Sequence, residues 1–154
     1  MSMPRRIVPE RGLVLTNEQK EVLEKRANHL KRQIEGLGKQ DGQQLLPDVI
    51  IFFTAVERAL EQEIFYTGED AANAALLLDH GDRRAEKLCT GETPWTTQTG
   101  LVVRGFVSKL DDSIQPYGLV VPETFDSSAG RRHRLDIWHH GRNAKGSEIR
   151  FLME

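Results

Sequence analysis

Residues 98–121, QTGLVVRGFVSKLDDSIQPYGLVV, hold the change of hydrophobic period that decides the fold class. Leu101 to Lys109 is rich in Val and Phe and reads as a strand, and Asp111-Asp112-Ser113 is turn chemistry. Tyr117 to Val121 reads as a second strand, stopped by Pro122, because proline has no N–H to extend a ladder. Together they predict an antiparallel hairpin with a long connection. On the N-terminal side of Pro94 the period is 3.6 instead of 2, so the chain reads as α+β: a three-helix N-terminal segment followed by antiparallel strands.

Working back from the hairpin, the third helix is expected over roughly 69–90. It opens with Thr67 and Asp70 at capping-box spacing and closes before Gly91 and Pro94. Gly81 is its weak point, since glycine costs about 1 kcal/mol relative to alanine inside a helix. A second helix, 47–66, starts with proline in its first turn, carries Val49, Phe52, Phe53, Val56, Leu60 and Ile64 along one side, and is closed by Gly68. The first, 17–36, has Thr16 and Gln19 at capping-box spacing and Leu23, Ala27, Leu30 and Ile34 at helical intervals. Leu23, Leu30, Phe53, Val56, Leu60 and Leu76 are expected to share one core, with strands confined to residues beyond 98. The domain division predicted is 1–93, helical, and 94–154.

Forward of the hairpin, a polar loop from Glu123 to His133 leads to a short apolar run, Leu135 to Trp138, expected to be a third strand. The turn His139-His140-Gly141-Arg142-Asn143 follows it. Ile149, Phe151, Leu152 and Met153 start a further apolar element.

The 154 residues are 38% hydrophobic and 29% charged, with a net charge of −2, an ordinary composition for about one globular domain. Charge is uneven: residues 1–46 carry 9 basic and 6 acidic side chains, 47–93 carry 4 and 10, and 94–154 carry 8 and 7. The acidic middle argues against nucleic acid, which needs a contiguous basic face. No run is apolar enough to span a membrane. The basic N-terminus is followed only by the short apolar patch Gly12 to Leu15, so no export signal is legible and the chain reads as cytoplasmic. Cys89, the one cysteine, can form no internal disulfide and is expected to be a buried small side chain near a helix C-terminus.

Three segments, LVVRGFVSKLDD (101–112), SIQPYGLVVPETF (113–125) and RLDIWHHGRN (134–143), resemble the start of the α/β-hydrolase domain of prolyl-oligopeptidase-like serine hydrolases. The helical part is similar to N-terminal extensions of bacterial hydrolases of this type, with GETPWTTQTGLVVRG as the junction. The resemblance implies a serine hydrolase that cleaves ester or peptide bonds through an acyl-enzyme and needs no cofactor. It makes the predicted hairpin the first strands of the hydrolase sheet, RLDIWHHG the third strand with its turn, and export permissible.

By that resemblance, the turn of His140, Gly141, Arg142 and Asn143 contributes to an oxyanion hole. Acyl transfer builds negative charge on the former carbonyl oxygen, which a backbone N–H must meet at about 2.7–3.1 Å. Gly141 permits a tight backbone turn, Arg142 or Asn143 supplies the N–H, and His140 supports the loop. The family often has further glycines after His-Gly; here Arg142 and Asn143 stand in their place. No nucleophile, acid or base is legible in this chain. None of the six serines sits in a Gly-x-Ser-x-Gly elbow; Ser128 is followed by Ala129-Gly130, but Asp126 stands where the first glycine belongs. The expected partner is therefore a C-terminal hydrolase portion of roughly 150 or more further residues, acting on a small ester or peptide substrate.

A reading of a different class is a standalone helical interaction module with a hairpin and no chemistry. His133, His139 and His140 are not read as a metal site, since neighbours on a strand point to opposite faces and neither a helical His-Glu-x-x-His pattern nor a cysteine pair accompanies them. Trp95, Trp138 and the set Phe52, Phe53 and Phe65 read as core or interface aromatics, and Arg131, Arg132 and Arg134 as a solvated loop.

Overall fold

A computed structural model describes residues 11–39, 44–126, 130, 132–139 and 145–153. Helices α1 (Asn17–Leu37), α2 (Pro47–Gln62) and α3 (Asp70–Cys89) come first, then strands β1 (Gly100–Val107) and β2 (Ile114–Val121), then a short helix α4 (Glu148–Met153). The chain is α+β, with its strands after the three long helices and before α4.

Local chemistry explains the helix ends. The capping box at α1 forms in both directions: Gln19 N–H donates to Thr16 Oγ1 at 3.2 Å, and Thr16 N–H donates to Gln19 Oε1 at 3.0 Å. Pro47 occupies the first turn of α2. This helix stops four residues before the 66 expected, because Glu63 takes a left-handed conformation (φ 52°) and Ile64 N–H turns back to the Ala59 carbonyl at 3.1 Å. The chain thereby swings Phe65 into the core, where its carbonyl accepts the N–H of Leu13 at 2.5 Å. At α3 the Thr67–Asp70 pair works from one side: the Asp70 carboxylate accepts the Thr67 hydroxyl and the N–H groups of Tyr66 and Thr67.

One apolar cluster joins all three long helices. It contains Leu23, Ala27 and Leu30 of α1, Val49, Ile51, Phe52, Ala55, Val56 and Ala59 of α2, and Ala74, Leu77, Leu78 and Ala85 of α3. Phe53 and Leu60 pack against it half-buried. Leu76, expected in the core, is exposed: the face of α3 that meets its neighbours runs through Ala74, Leu77, Leu78 and Gly81, and one residue is about 100° of helical rotation. Gly81 is where α1 and α3 approach, since a Cβ there would lie 2.4 Å from Leu30 Cδ2. Cys89 is exposed rather than buried, at the last position of α3.

The hairpin pairs Gly100 with Val121 through to Val107 with Ile114. The second strand begins at Ile114 rather than Tyr117, so the connection is only six residues. Pro116 is tolerated because it faces Gly105, whose own N–H is used elsewhere. Phe106 and Tyr117 meet edge-to-face across the strands, 5.9 Å between centroids.

Beyond the hairpin the outcome departs from expectation. Residues 132–139 form no strand, and Leu135, Ile137 and Trp138 are exposed, Trp138 at 90%. The intervening Asp136 bonds to Arg134 within the segment, and among the described residues no strand pairs with it to offer a ladder for an apolar alternation to bury against. The apolar element from Ile149 is α4. Its Ile149 and Leu152 enter the helical core, while Glu148 pairs with Arg58 and Arg150 lies 3.5 Å from Asp70.

Candidate functional site

The junction between α2, α3 and β1 gathers the most elaborate polar chemistry among the described residues. Asp48, one residue into α2, is 1% exposed. Its Oδ2 accepts from Trp95 Nε1 and from Arg104 Nε, each at 2.8 Å, and its Oδ1 accepts the N–H of Gly105 at 2.7 Å. A buried carboxylate is tolerated only when so satisfied. The donors come from the 3₁₀ turn Pro94–Thr96 and from β1, so a helix start in the first third of the chain organises a strand more than fifty residues later.

Arg84 of α3 closes the junction from the other side. It donates to the Asp48 carbonyl at 3.0 Å and to the Val103 carbonyl at 2.8 Å. Its guanidinium is stacked between rings, 4.9 Å from the Phe52 centroid and 5.1 Å from the Trp95 centroid. Burial pushes its pKa down to about 10, with the charge of Arg104 acting the same way and that of Asp48 opposing. It is still cationic at neutral pH. Of the two guanidinium groups only that of Arg104 bonds to the Asp48 carboxylate, so with Arg84 held by backbone carbonyls the junction carries an excess positive charge.

A groove of about 450 Å³ opens on this junction. One wall is α3, which places His80, Arg83, Arg84 and Lys87 at positions i, i+3, i+4 and i+7 of a single face. The other wall is apolar, with Leu101 and Val102 of β1 and Met153 of α4, and Phe52 and Trp95 lie among the lining. His80 stacks on Phe52 with centroids 5.9 Å apart. Its pKa is lowered by burial and by the neighbouring Arg83 and Arg84, against the opposing charge of Asp79. No carboxylate is among the residues described as lining the groove.

The oxyanion-hole residues expected from sequence, His140, Gly141, Arg142 and Asn143, lie outside the described residues, as do Ser127 and Ser128. His133 and Arg134 are on an exposed segment, His133 5.3 Å from Phe125 between ring centroids. Trp95 is buried and Trp138 is not. Among the described residues no group of three or more His, Cys, Asp or Glu side chains could hold a metal ion, and no helix is long and apolar enough to cross a membrane. The junction residues Asp48, Arg84 and Arg104 carried no motif. The one legible signal was the cationic spacing His80, Arg83, Arg84, Lys87 inside an otherwise acidic region. The chain matches no protein-family model, no curated protein and no solved structure.

Proposed function

We propose that this chain supplies the accessory helices, the first two strands and the oxyanion-hole turn of a serine hydrolase that cleaves ester or peptide bonds through an acyl-enzyme. The observation that carries the reading is the hairpin: IQPYGLVV pairs antiparallel with GLVVRGFV along its full length, the arrangement the resemblance implies for the first strands of the sheet. In this role the α3–β1 junction clamps the helices to the sheet edge, and the turn 140–143 presents a backbone N–H to the developing oxyanion.

One observation favours the interaction-module reading. Helix α4 buries Ile149 and Leu152 against α2 and α3, so the described elements close a core among themselves. Fluorophosphonate labelling of the protein expressed from its whole reading frame separates the two. Stoichiometric modification of one serine, outside residues 1–154 and within a Gly-x-Ser-x-Gly elbow, supports the hydrolase. No labelling and no turnover of activated esters favours the module.

A further inference from the structure

The groove beside Asp48 combines three features that separately have bland explanations and together describe a ligand. First, its charge is of one sign. Arg83 and Lys87 stand at its mouth on the exposed side of α3, Arg84 is at its base, and no acid among the described residues lines it. Lys87 pairs with Glu92 and Arg83 leans on His80 Nδ1. At the base, the Asp48 carboxylate is ion-paired with Arg104, while Arg84 bonds only to two backbone carbonyls, which leave its partly desolvated positive charge without a carboxylate partner. Second, the facing wall is apolar, with Leu101 half exposed at 52% and Met153 at 37% on its rim. Third, the volume lies in the range of small-molecule sites, which bury most of a ligand against apolar and aromatic groups and orient it with a few polar ones.

We propose that this groove binds a small organic carboxylate: an anionic head held by Arg83, Arg84 and Lys87, and a flat or branched apolar body lying between the α3 face and the wall of Leu101, Val102 and Met153. A bare anion lacks the body that the apolar wall would cover, and a neutral apolar molecule forgoes the charge. Guanidinium groups suit a carboxylate, which accepts two parallel N–H bonds. The site is independent of the hydrolase reading, since none of its residues is in the turn 140–143.

The test uses naphthalene-2-carboxylate as probe, titrated into the full chain with amide shifts followed by NMR. Naphthalene-2-carboxamide and acetate are the controls. Saturable shifts confined to residues 80–87, 95–103 and 152–153 are expected, with the carboxamide and acetate each binding at least about ten-fold more weakly. The exposed pair of substitutions Arg83→Gln and Lys87→Gln should weaken the carboxylate about ten-fold while leaving the unfolding midpoint unchanged, and Leu101→Ser should weaken it several-fold. Equal binding of carboxamide and carboxylate, equal binding of acetate, shifts elsewhere, or unchanged affinity in the doubly substituted chain would each overturn the proposal.

Discussion

The carboxylate of Asp48 accepts the backbone N–H of Gly105 at 2.7 Å across 57 residues of sequence, and a Cβ on Gly105 would lie 2.2 Å from the carbonyl oxygen of Pro47. The helix start and the strand therefore touch backbone to backbone. This one approach sets the height of the hairpin over α2. It also accounts for the register, because Pro116, which has no N–H, faces the residue whose N–H is already given to Asp48.

Asp48→Ala should destabilise the chain by about 3–5 kcal/mol, because it strands Arg104, Trp95 Nε1 and Gly105 N–H without their acceptor. Asp48→Asn retains one acceptor oxygen and should fall between. Urea unfolding followed by circular dichroism reads both. An Ala variant within about 0.5 kcal/mol of wild type would refute the central role of this carboxylate.

Gly105→Ala should cost about 3 kcal/mol, the upper part of the range for overpacking, since the obstructing atoms are Pro47 backbone rather than a side chain that can rotate. Gly118→Ala on β2 is the control. Nothing lies within 4 Å of its would-be Cβ, and its midpoint should barely move.

Gly81→Ala separates helix propensity from packing. Propensity alone predicts stabilisation of about 1 kcal/mol. The structure predicts net destabilisation of about 1–2 kcal/mol, because the new methyl meets Leu30 Cδ2 at 2.4 Å and Phe52 Cβ at 3.3 Å in a fully packed region. Combining it with Leu30→Val should recover part of the loss, and a double-mutant cycle measures that coupling.

Stability should fall with acid in two ranges. The folded-state pKa of His80 is below 6.5 through burial and its arginine neighbours, so its contribution is complete above about pH 6.5 and is lost as pH drops through the lower folded value. For Asp70, burial raises the pKa but is outweighed by hydrogen bonds from Thr67 and Tyr66 and by the charge of Arg150. Its contribution is full above its unfolded pKa near 3.8 and is lost as pH falls through the folded one. Asp82, raised mainly by burial, works in the opposite sense above pH 3.8. Urea midpoints between pH 7.5 and 5 should decline less for His80→Gln than for wild type. Parallel curves would remove His80 from the account.

If residues 140–143 form the oxyanion turn of a hydrolase, Gly141→Val in the whole enzyme should lower kcat by about 100-fold or more with a smaller change in KM, because that donor acts mainly in the transition state. Arg142→Ala keeps its N–H and should be mild. A large loss at Arg142 with Gly141 tolerant would assign the side chain to substrate binding instead. Thermal melts of both variants distinguish lost chemistry from lost folding.

What the sequence determined by itself is the order of elements: helices set by 3.6-residue apolar spacing, by the capping box at Thr16, by proline in the first turn at Pro47 and by the Thr67–Asp70 turn, then a hairpin set by period 2 around Asp111-Asp112-Ser113. These are local properties, decided within a turn or two of chain. Whether Leu76 or Leu77 faces the core, whether Leu135 to Trp138 becomes a strand, and whether Cys89 is covered depend on which neighbours arrive, and no local pattern encodes that. The same holds for the candidate site. A lone Asp beside Pro47 reads as a helix-start residue, and Gly105 as an unremarkable strand glycine. Only the packing of β1 on α2 turns them into a buried carboxylate with three donors, because desolvation and hydrogen bonding are properties of the assembled neighbourhood and not of the residues that enter it.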